Sequence, residues 1–226
     1  MNAAPATAGA HRDAMRRGAR VHFDRWAVTY DRSWLNELVF FPSIRACQEQ
    51  IQRWRAARGI DRPYRMLDVG CGTGTLLALQ SRDARAERLI GLDYSPVMVR
   101  RANEKFAAAD RLHCIQGDSE RLPLADASID VITCCNSFHH YPHQAQVLRG
   151  FRRVLRPGGM LVLIDGFRDN VIGWAIFDVG VAMVERNVHH ASWSHVRRML
   201  LDAGFARVEQ RKMNVLAPLL VSVAHA

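Results

Sequence analysis

Apolar and polar positions follow two different rhythms along this chain. Over residues 14–57 the apolar positions recur every three or four residues, which predicts helices at 14–31 and 34–57, with a break or restart at Pro42. Beyond Tyr64, short and nearly continuous apolar runs alternate with helical patterns. These runs predict strands at 65–69, 88–93, 112–116, 129–135 and 159–165, with helices near 75–81, 95–109 and 143–155.

The last part of the chain has its own pattern. A helix is predicted over 193–203, and two strand-like runs joined by a short link follow at 206–213 and 215–226. A short link between strands predicts an antiparallel hairpin, here at the edge of the sheet. Residues 167–190 form an apolar helical segment before this tail. Because the five central strands are apolar throughout and helices separate them, we predict an α/β fold with a doubly wound, mostly parallel sheet.

Composition narrows the class of protein. The chain has 226 residues, of which 49% are hydrophobic, so it fits one domain with a small appendage. Residues 1–12 are small and polar and are expected to be disordered, without the apolar core of a signal peptide. No apolar run reaches the ~20 residues of a membrane span. Five cysteines without CxxC spacing indicate reduced thiols in a cytoplasmic protein.

The net charge of +9 raises the question of a nucleic-acid partner. The basic residues are almost all arginine, with lysine only at Lys105 and Lys212, and no run of five basic residues occurs. Such a bias follows from a GC-rich coding sequence without any selection for binding. We therefore expect no nucleic acid as a partner.

A glycine-rich loop follows the first central strand. The stretch MLDVGCGTGTL, Met66–Leu76, places Gly70, Gly72 and Gly74 two residues apart, as a ligand-binding loop or a bare tight turn would. Asp93 closes the second strand, where an acidic residue can accept hydrogen bonds from ribose hydroxyls. The order of the glycines is not that of the dinucleotide fingerprint, and the loop has no basic residue. These features favour a ligand that contains a ribose but no phosphate.

Polar residues follow the third and fourth strands at the same predicted edge. Asp118 and Ser119 come after the third strand and are suited to contact an adenine edge, and Asn136 to Tyr141 leave the fourth strand. The motifs MLDVGCGTG, GLDYS, GDSERLP, DVITCCNSFHH and VLRPGGMLVL, in this order and spacing, resemble those of class I S-adenosylmethionine-dependent methyltransferases. Within that class the chain is similar to the small-molecule group of ubiquinone/menaquinone C-methyltransferases.

This resemblance implies a cofactor, a topology and a domain division. The cofactor is S-adenosylmethionine, and the Rossmann-like sheet has seven strands in the order 3-2-1-4-5-7-6 with strand 7 antiparallel. HFDRWAVTYDRSW, residues 22–34, is similar to an N-terminal cofactor lid. We therefore expect a helical lid over 13–62 and a methyltransferase domain over 63–226, with 167–190 as a helical insertion at the acceptor site.

The resemblance also implies roles for ten residues around the cofactor. Those expected at the methionine part are Tyr30 over its carboxylate, Asp68 at the loop and the amino group, Gly70, Gly72 and Gly74 against its chain, and Asn136. Those expected at the adenosine part are Asp93 at the ribose, Tyr94 near the adenine ring, and Asp118 with Ser119 at the adenine amino group.

The sulfonium of such a cofactor already activates the methyl group, so the enzyme chiefly positions the reactants. A base is needed only where the acceptor must lose a proton. His140 and, after it, His139 are the candidates, although either ring could instead cap a helix or pack in the core. His139 and His143 lie four residues apart, but Pro142 lies between them and no carboxylate or cysteine is in step, so we expect no metal.

The acceptor is expected to be a small apolar or aromatic molecule. The segment NSFHHY lacks the prolines of the Asn/Asp-Pro-Pro-aromatic motif of adenine methyltransferases, and no Pro-Cys dipeptide of the cytosine-C5 kind occurs. A catalytically silent S-adenosylmethionine-binding regulatory protein remains an alternative, as does an RNA or protein methyltransferase. We expect a monomer or a homodimer.

Overall fold

The structure is a computed structural model, and it describes residues 40–166, 191–213 and 219–226. The expected disordered tail, most of the expected lid including Tyr30, and the expected insertion at 167–190 lie outside the described residues.

Seven strands and five helices make up the described chain. The strands are β1 (Tyr64–Val69), β2 (Ala86–Asp93), β3 (Leu112–Gln116), β4 (Ile129–Cys135), β5 (Leu155–Gly166), β6 (Arg207–Met213) and β7 (Leu219–His225). The helices are α1 (Phe41–Arg58), α2 (Thr75–Gln80), α3 (Pro96–Lys105), α4 (Gln144–Val154) and α5 (Trp193–Asp202). Two single turns of 3-10 helix, Ser119–Arg121 and Phe138–His140, follow β3 and β4.

The strands form one sheet in the order β3-β2-β1-β4-β5-β7-β6. Pairs among β1 to β5 are parallel, whereas β7 is antiparallel to both β5 and β6. The predicted doubly wound topology and the predicted C-terminal hairpin are confirmed. Because strand order reverses between β1 and β4, the carboxyl ends of these two strands flank the crevice where such sheets bind ligands.

Helices cover both faces of the sheet, as the continuous apolar strands predict. In β5, Val162 and Ile164 face the layer that holds α1, α2 and α3, whereas Leu161 and Leu163 face α4 and α5. Each layer is a continuous apolar cluster. Helix α1 contributes Ile44, Cys47 and Ile51 to the first layer, and α4 contributes Val147, Leu148, Phe151 and Val154 to the second.

The start of α1 agrees with the predicted restart at Pro42, whereas β5 begins earlier than predicted. Helix α1 spans Phe41–Arg58, so Pro42 lies in its first turn, where the missing N–H of proline removes no helical hydrogen bond. Strand β5 begins at Leu155 rather than at 159, although the run Pro157-Gly158-Gly159 predicts a turn. Leu155 pairs with Ile129 before the register shifts, and Gly158 supplies a φ of 74° within the strand.

Of the helices in the described ranges, none is both long enough and apolar enough to cross a membrane.

Candidate functional site

The glycine loop is fastened to the end of β2 by backbone and carboxylate hydrogen bonds. Gly70 and Cys71 both donate from their backbone N–H to the carbonyl of Leu92, at 2.8 and 3.2 Å. Asp93 Oδ2 accepts from the backbone N–H of Gly72 at 2.9 Å, and its Oδ1 accepts from that of Ser95 at 2.9 Å. The Asp93 carboxylate therefore joins the loop after β1 to the turn after β2.

The three glycines of the loop are required for different reasons. All have positive φ, between 52° and 77°. A Cβ on Gly70 would lie 2.4 Å from Ser137 Oγ, and one on Gly74 would lie 2.5 Å from the Phe106 ring, so protein neighbours exclude a side chain at both positions. A Cβ on Gly72 would meet none of the described residues within 4 Å. Of the three glycines, Gly72 is thus the one with open space beside its backbone in the described part of the chain.

Asp68 is a buried carboxyl group on β1, beside β4. Its Oδ1 accepts a hydrogen bond of 2.7 Å from Thr133 Oγ1. Burial raises the pKa of Asp68 to about 7, and the nearby charge of Asp93 adds to this effect, while the Thr133 hydrogen bond opposes it. The role that the resemblance implies for Asp68, at the loop and the amino group, stays a prediction. The carboxylate that bonds the loop backbone at Gly72 is that of Asp93.

Asn136 follows β4 directly and has an unusual environment. Its φ is 53°, and its backbone N–H donates to the carbonyl of Ile164 at 2.8 Å. Ser43 of α1 donates to Asn136 Oδ1 at 3.5 Å, whereas the Nδ2 atom is buried and has no hydrogen-bond partner among the described residues. A buried amide donor left unpaired costs about 1–3 kcal/mol, so an acceptor on a ligand would stabilise this arrangement.

The other expected adenosine contacts lie at the carboxyl ends of β2 and β3. Tyr94 follows β2 and is 41% exposed, and Ser119 is buried in the 3-10 turn after β3. Asp118 Oδ1 accepts from the backbone N–H of Glu120 at 2.9 Å and so begins that turn. These three residues therefore border the same edge of the sheet as Asp93.

His139 is held by a carboxylate that the sequence reasoning missed. Its Nδ1 lies 2.6 Å from Asp165 Oδ1, and its backbone N–H donates to Asp165 Oδ2 at 2.8 Å. Asp165 is 9% exposed, lies near the end of β5, and also accepts from the backbone N–H of Gly166 at 2.8 Å. A carboxylate at Nδ1 places the ring proton there, which makes Nε2 the basic nitrogen.

The neighbouring histidines differ from His139. The ring of His140 lies 4.0 Å from that of His139, measured between centroids, at a tilt of 48°. His143 is the N-cap residue of α4, and its backbone N–H donates to Glu120 Oε1 at 3.2 Å. Within the described ranges, no three histidine, cysteine or acidic side chains are grouped as metal ligands.

A hydrogen-bonded turn connects His139 to the glycine loop. Ser137 Oγ donates to the carbonyl of Val69 at 3.2 Å, and Tyr141 Oη donates to Ser137 Oγ at 3.1 Å. Ser137 is also the residue that a Cβ on Gly70 would strike. The turn that carries His139 is therefore packed directly on the loop that the glycines form.

Asp165 and Thr133 carried weak sequence signals that could have identified them. Asp165 is an acidic residue at the end of an apolar strand, which is the same signal that singled out Asp93. Thr133 is a lone hydroxyl inside an apolar strand, opposite Asp68 in the β1–β4 register. Its partner becomes evident only when that register is known.

Known proteins are similar to this chain in sequence or in fold. A family model described as a methyltransferase domain matches residues 67–163. A demethylmenaquinone methyltransferase of Listeria monocytogenes is 32% identical over 161 residues, which are 69% of this chain and 65% of that relative, so the chain covers less than two thirds of the relative's length. A S-adenosylmethionine-dependent methyltransferase from Aquifex aeolicus has a TM-score of 0.66 at 22% identity, over 89% of this chain and 97% of that one. One from Mesorhizobium loti has a TM-score of 0.62 at 20% identity, over 77% and 96%.

The raised pKa of Asp68 predicts a pH-dependent stability. Because the folded pKa is about 7 against an ordinary 3.8, this carboxyl stabilises the fold at low pH, and that contribution is lost as the pH rises through about 7. Asp68→Asn keeps an oxygen acceptor for Thr133 and cannot ionise. The quantity to compare is the free energy of unfolding in urea of Asp68→Asn minus that of the unchanged chain. This difference should rise by about 2 kcal/mol between about pH 5 and about pH 8.

The exposed Asp110 offers a matched control for this measurement. Asp110→Asn should differ from the unchanged chain by the same amount at both pH values. A difference that is equally constant for Asp68→Asn would contradict the assignment of a raised pKa to the buried carboxyl.

Proposed function

We propose that the chain is a class I S-adenosylmethionine-dependent methyltransferase and that it methylates a small aromatic acceptor that carries an ionisable hydroxyl group. The observation that carries this proposal is the His139–Asp165 pair on the turn that contacts the glycine loop. A base at this place is useful only for an acceptor that must lose a proton before or during methyl transfer.

The residues present fit S-adenosylmethionine as the cofactor. Gly72 has open space beside its backbone, and Asn136 Nδ2 is a buried donor without an acceptor among the described residues. Among the described residues the Asp93 carboxylate accepts from the backbone N–H groups of Gly72 and Ser95, and a carboxylate has about four acceptor positions, which suits the expected contact with ribose hydroxyls. The pKa of Asp68 is about 7, and a positively charged ligand nearby would favour its ionised form. S-adenosylmethionine carries such a charge on its sulfonium.

The cofactor supplies an activated methyl group, and the chain supplies position and a base. We assign the base to His139 rather than to His140, because Asp165 fixes its tautomer and stabilises the charge that the ring gains. The acceptor hydroxyl gives its proton to His139 Nε2. The resulting phenolate then receives the methyl group through its oxygen or through an activated ring carbon. A methylated ring carbon afterwards loses its own hydrogen as a proton to solvent, which restores the aromatic ring.

The class of acceptor is supported by the relatives. The Listeria relative is named for demethylmenaquinone, and the reduced form of a quinone is an aromatic ring with ionisable hydroxyls. We propose that this chain takes an acceptor of that kind.

Cofactor binding tests the proposed role of Asp93. Asp93→Ala should weaken the binding of S-adenosylhomocysteine, measured by calorimetry, by about 2–3 kcal/mol, since both the loop bond and the ribose acceptor are lost. Asp110→Ala, an exposed change, serves as the control and should leave affinity unaltered. Unchanged affinity in the Asp93 variant would exclude a ribose contact there.

Turnover tests the proposed base. With a dihydroxynaphthalene kept reduced by dithionite as the acceptor, His139→Gln should lower kcat by roughly 100-fold or more while the affinity for S-adenosylhomocysteine stays nearly unchanged. Asp165→Asn should lower kcat by roughly tenfold or more and shift the acid limb of the pH profile, because the carboxylate no longer stabilises the charged ring.

His140→Gln is the matched control for the two variants, because it removes the adjacent ring and leaves the Asp165 contact intact. It should retain most of the turnover, and EDTA should have no effect on the unchanged enzyme. A loss confined to His140→Gln would assign the base to that residue instead. Cofactor binding without turnover on any hydroxylated aromatic, amine, RNA or protein acceptor would instead favour the catalytically silent alternative.

A further inference from the structure

Cys47 and Cys135 bring two thiols together from different elements of the fold. Cys47 lies on α1 and Cys135 is the last residue of β4, and their Sγ atoms are 2.9 Å apart. Both belong to the apolar layer between α1 and the sheet, where Cys47 is fully buried and Cys135 is partly buried. The pair therefore spans the contact between a covering helix and the carboxyl edge of the sheet.

We propose that Cys47 and Cys135 form a modification site, at which a peroxide converts the two thiols into a disulfide that cross-links α1 to the end of β4. This inference does not depend on the proposed methyl transfer. An S–S bond is about 2.05 Å long, so the two sulfurs need to approach by less than about 1 Å. The product is uncharged, and the surrounding apolar cluster accommodates it without burial of a new polar group.

The reaction balances with one peroxide for each pair. The more exposed Cys135 first releases its proton, and its thiolate attacks a peroxide oxygen. The O–O bond breaks, and the departing hydroxide takes up the released proton, so that a sulfenic acid and one water form. The Cys47 sulfur then attacks the sulfenic sulfur, the S–O bond breaks, and the departing hydroxide takes the Cys47 proton as a second water. Two thiols are oxidised to one disulfide, and the peroxide is reduced to two waters.

The environment of the pair sets the rate of this reaction. The contact with Cys47 raises the pKa of the Cys135 thiol well above its usual value, and burial adds to the effect. Little thiolate is therefore present near neutral pH, and oxidation should be slow there and faster as the pH rises.

The cross-link would act at the edge that carries the candidate site. Cys135 immediately precedes Asn136, and Ser43, one turn before Cys47 on α1, donates to Asn136 Oδ1. The disulfide would join residues 88 positions apart in sequence. Closure of so long a loop restricts the unfolded chain strongly, so the oxidised protein should be the more heat-stable form.

The other cysteines provide internal comparisons. Cys134 faces the opposite layer of the sheet, where its Sγ lies 3.2 Å from Ser137 Oγ. Cys71 and Cys114 lie side by side next to Gly91, where an added Cβ would meet their sulfurs at 2.7 and 2.6 Å. Cys134 is therefore a matched neighbour of Cys135 that cannot reach Cys47. Cys71 and Cys114 are a second pair that could be oxidised in competition.

Peptide mapping after treatment with hydrogen peroxide tests the proposal. Trypsin should release peptide 46–53 linked to peptide 122–149, with the loss of two free thiols. The apparent Tm should rise by roughly 5 °C or more and return to its starting value with dithiothreitol. Cys47→Ser and Cys135→Ser should each abolish the link and the rise, whereas Cys134→Ser should keep both.

A different product would overturn the proposal. A link found only between peptides 66–82 and 112–121 would assign oxidation to Cys71 and Cys114. Sulfinic acid on a single cysteine, or an equal rise in Tm for the unchanged chain and Cys47→Ser, would show that the pair does not cross-link. If a serine variant fails to fold, the peptide map of the unchanged chain decides alone.

Discussion

The hydrogen bond from the Gly72 backbone to Asp93 is the interaction on which the candidate site depends. It joins the loop after β1 to the end of β2, and the second oxygen of the same carboxylate holds the Ser95 backbone. A loop with three residues at positive φ has no regular secondary structure to fix it. The bond from Gly72 to Asp93 fixes it together with the bonds from Gly70 and Cys71 to the Leu92 carbonyl. Asp93 therefore holds the loop in place through hydrogen bonds within the protein itself.

Close packing explains two of the three glycines. Ser137 leaves no room for a side chain at Gly70, and Phe106 leaves none at Gly74, so the loop is packed between the turn after β4 and the end of helix α3. Of the three glycines, only Gly72 has open space beside its backbone among the described residues. Ser137 contacts the loop at Val69 and Gly70 and also belongs to the turn that carries His139, so the geometry of the loop and the geometry of this turn depend on each other.

Much of this arrangement could be predicted from the sequence because parallel strands impose it. Apolar runs separated by helices identify the sheet, and the carboxyl ends of β1, β2, β3 and β4 then meet at one edge whatever the details of packing. Asp68, Asp93, Asp118 and Asn136 could therefore be singled out without coordinates. Asp165 could not be paired with His139 in the same way, because the two are joined by the turn geometry of residues 137–141 and not by any sequence period. The bond between Thr133 and Asp68 likewise depends on the register of β1 and β4, which a one-residue shift would destroy.

At the end of β4, the pleat of the strand determines which face of the sheet each side chain points to. Cys134 points to the layer of α4 and α5, and Cys135 points to that of α1, because successive side chains of a strand face opposite sides. The strand then ends, and Asn136 follows with a φ of 53°. The Asn136 Oδ1 atom accepts from Ser43 on α1, and the Asn136 backbone N–H donates to the carbonyl of Ile164 on β5. A helix and a strand therefore both constrain the residue whose Nδ2 atom has no hydrogen-bond partner among the described residues. A donor held from two sides loses little conformational entropy when an acceptor arrives, which is the physical advantage of placing it at the point where the strand order reverses.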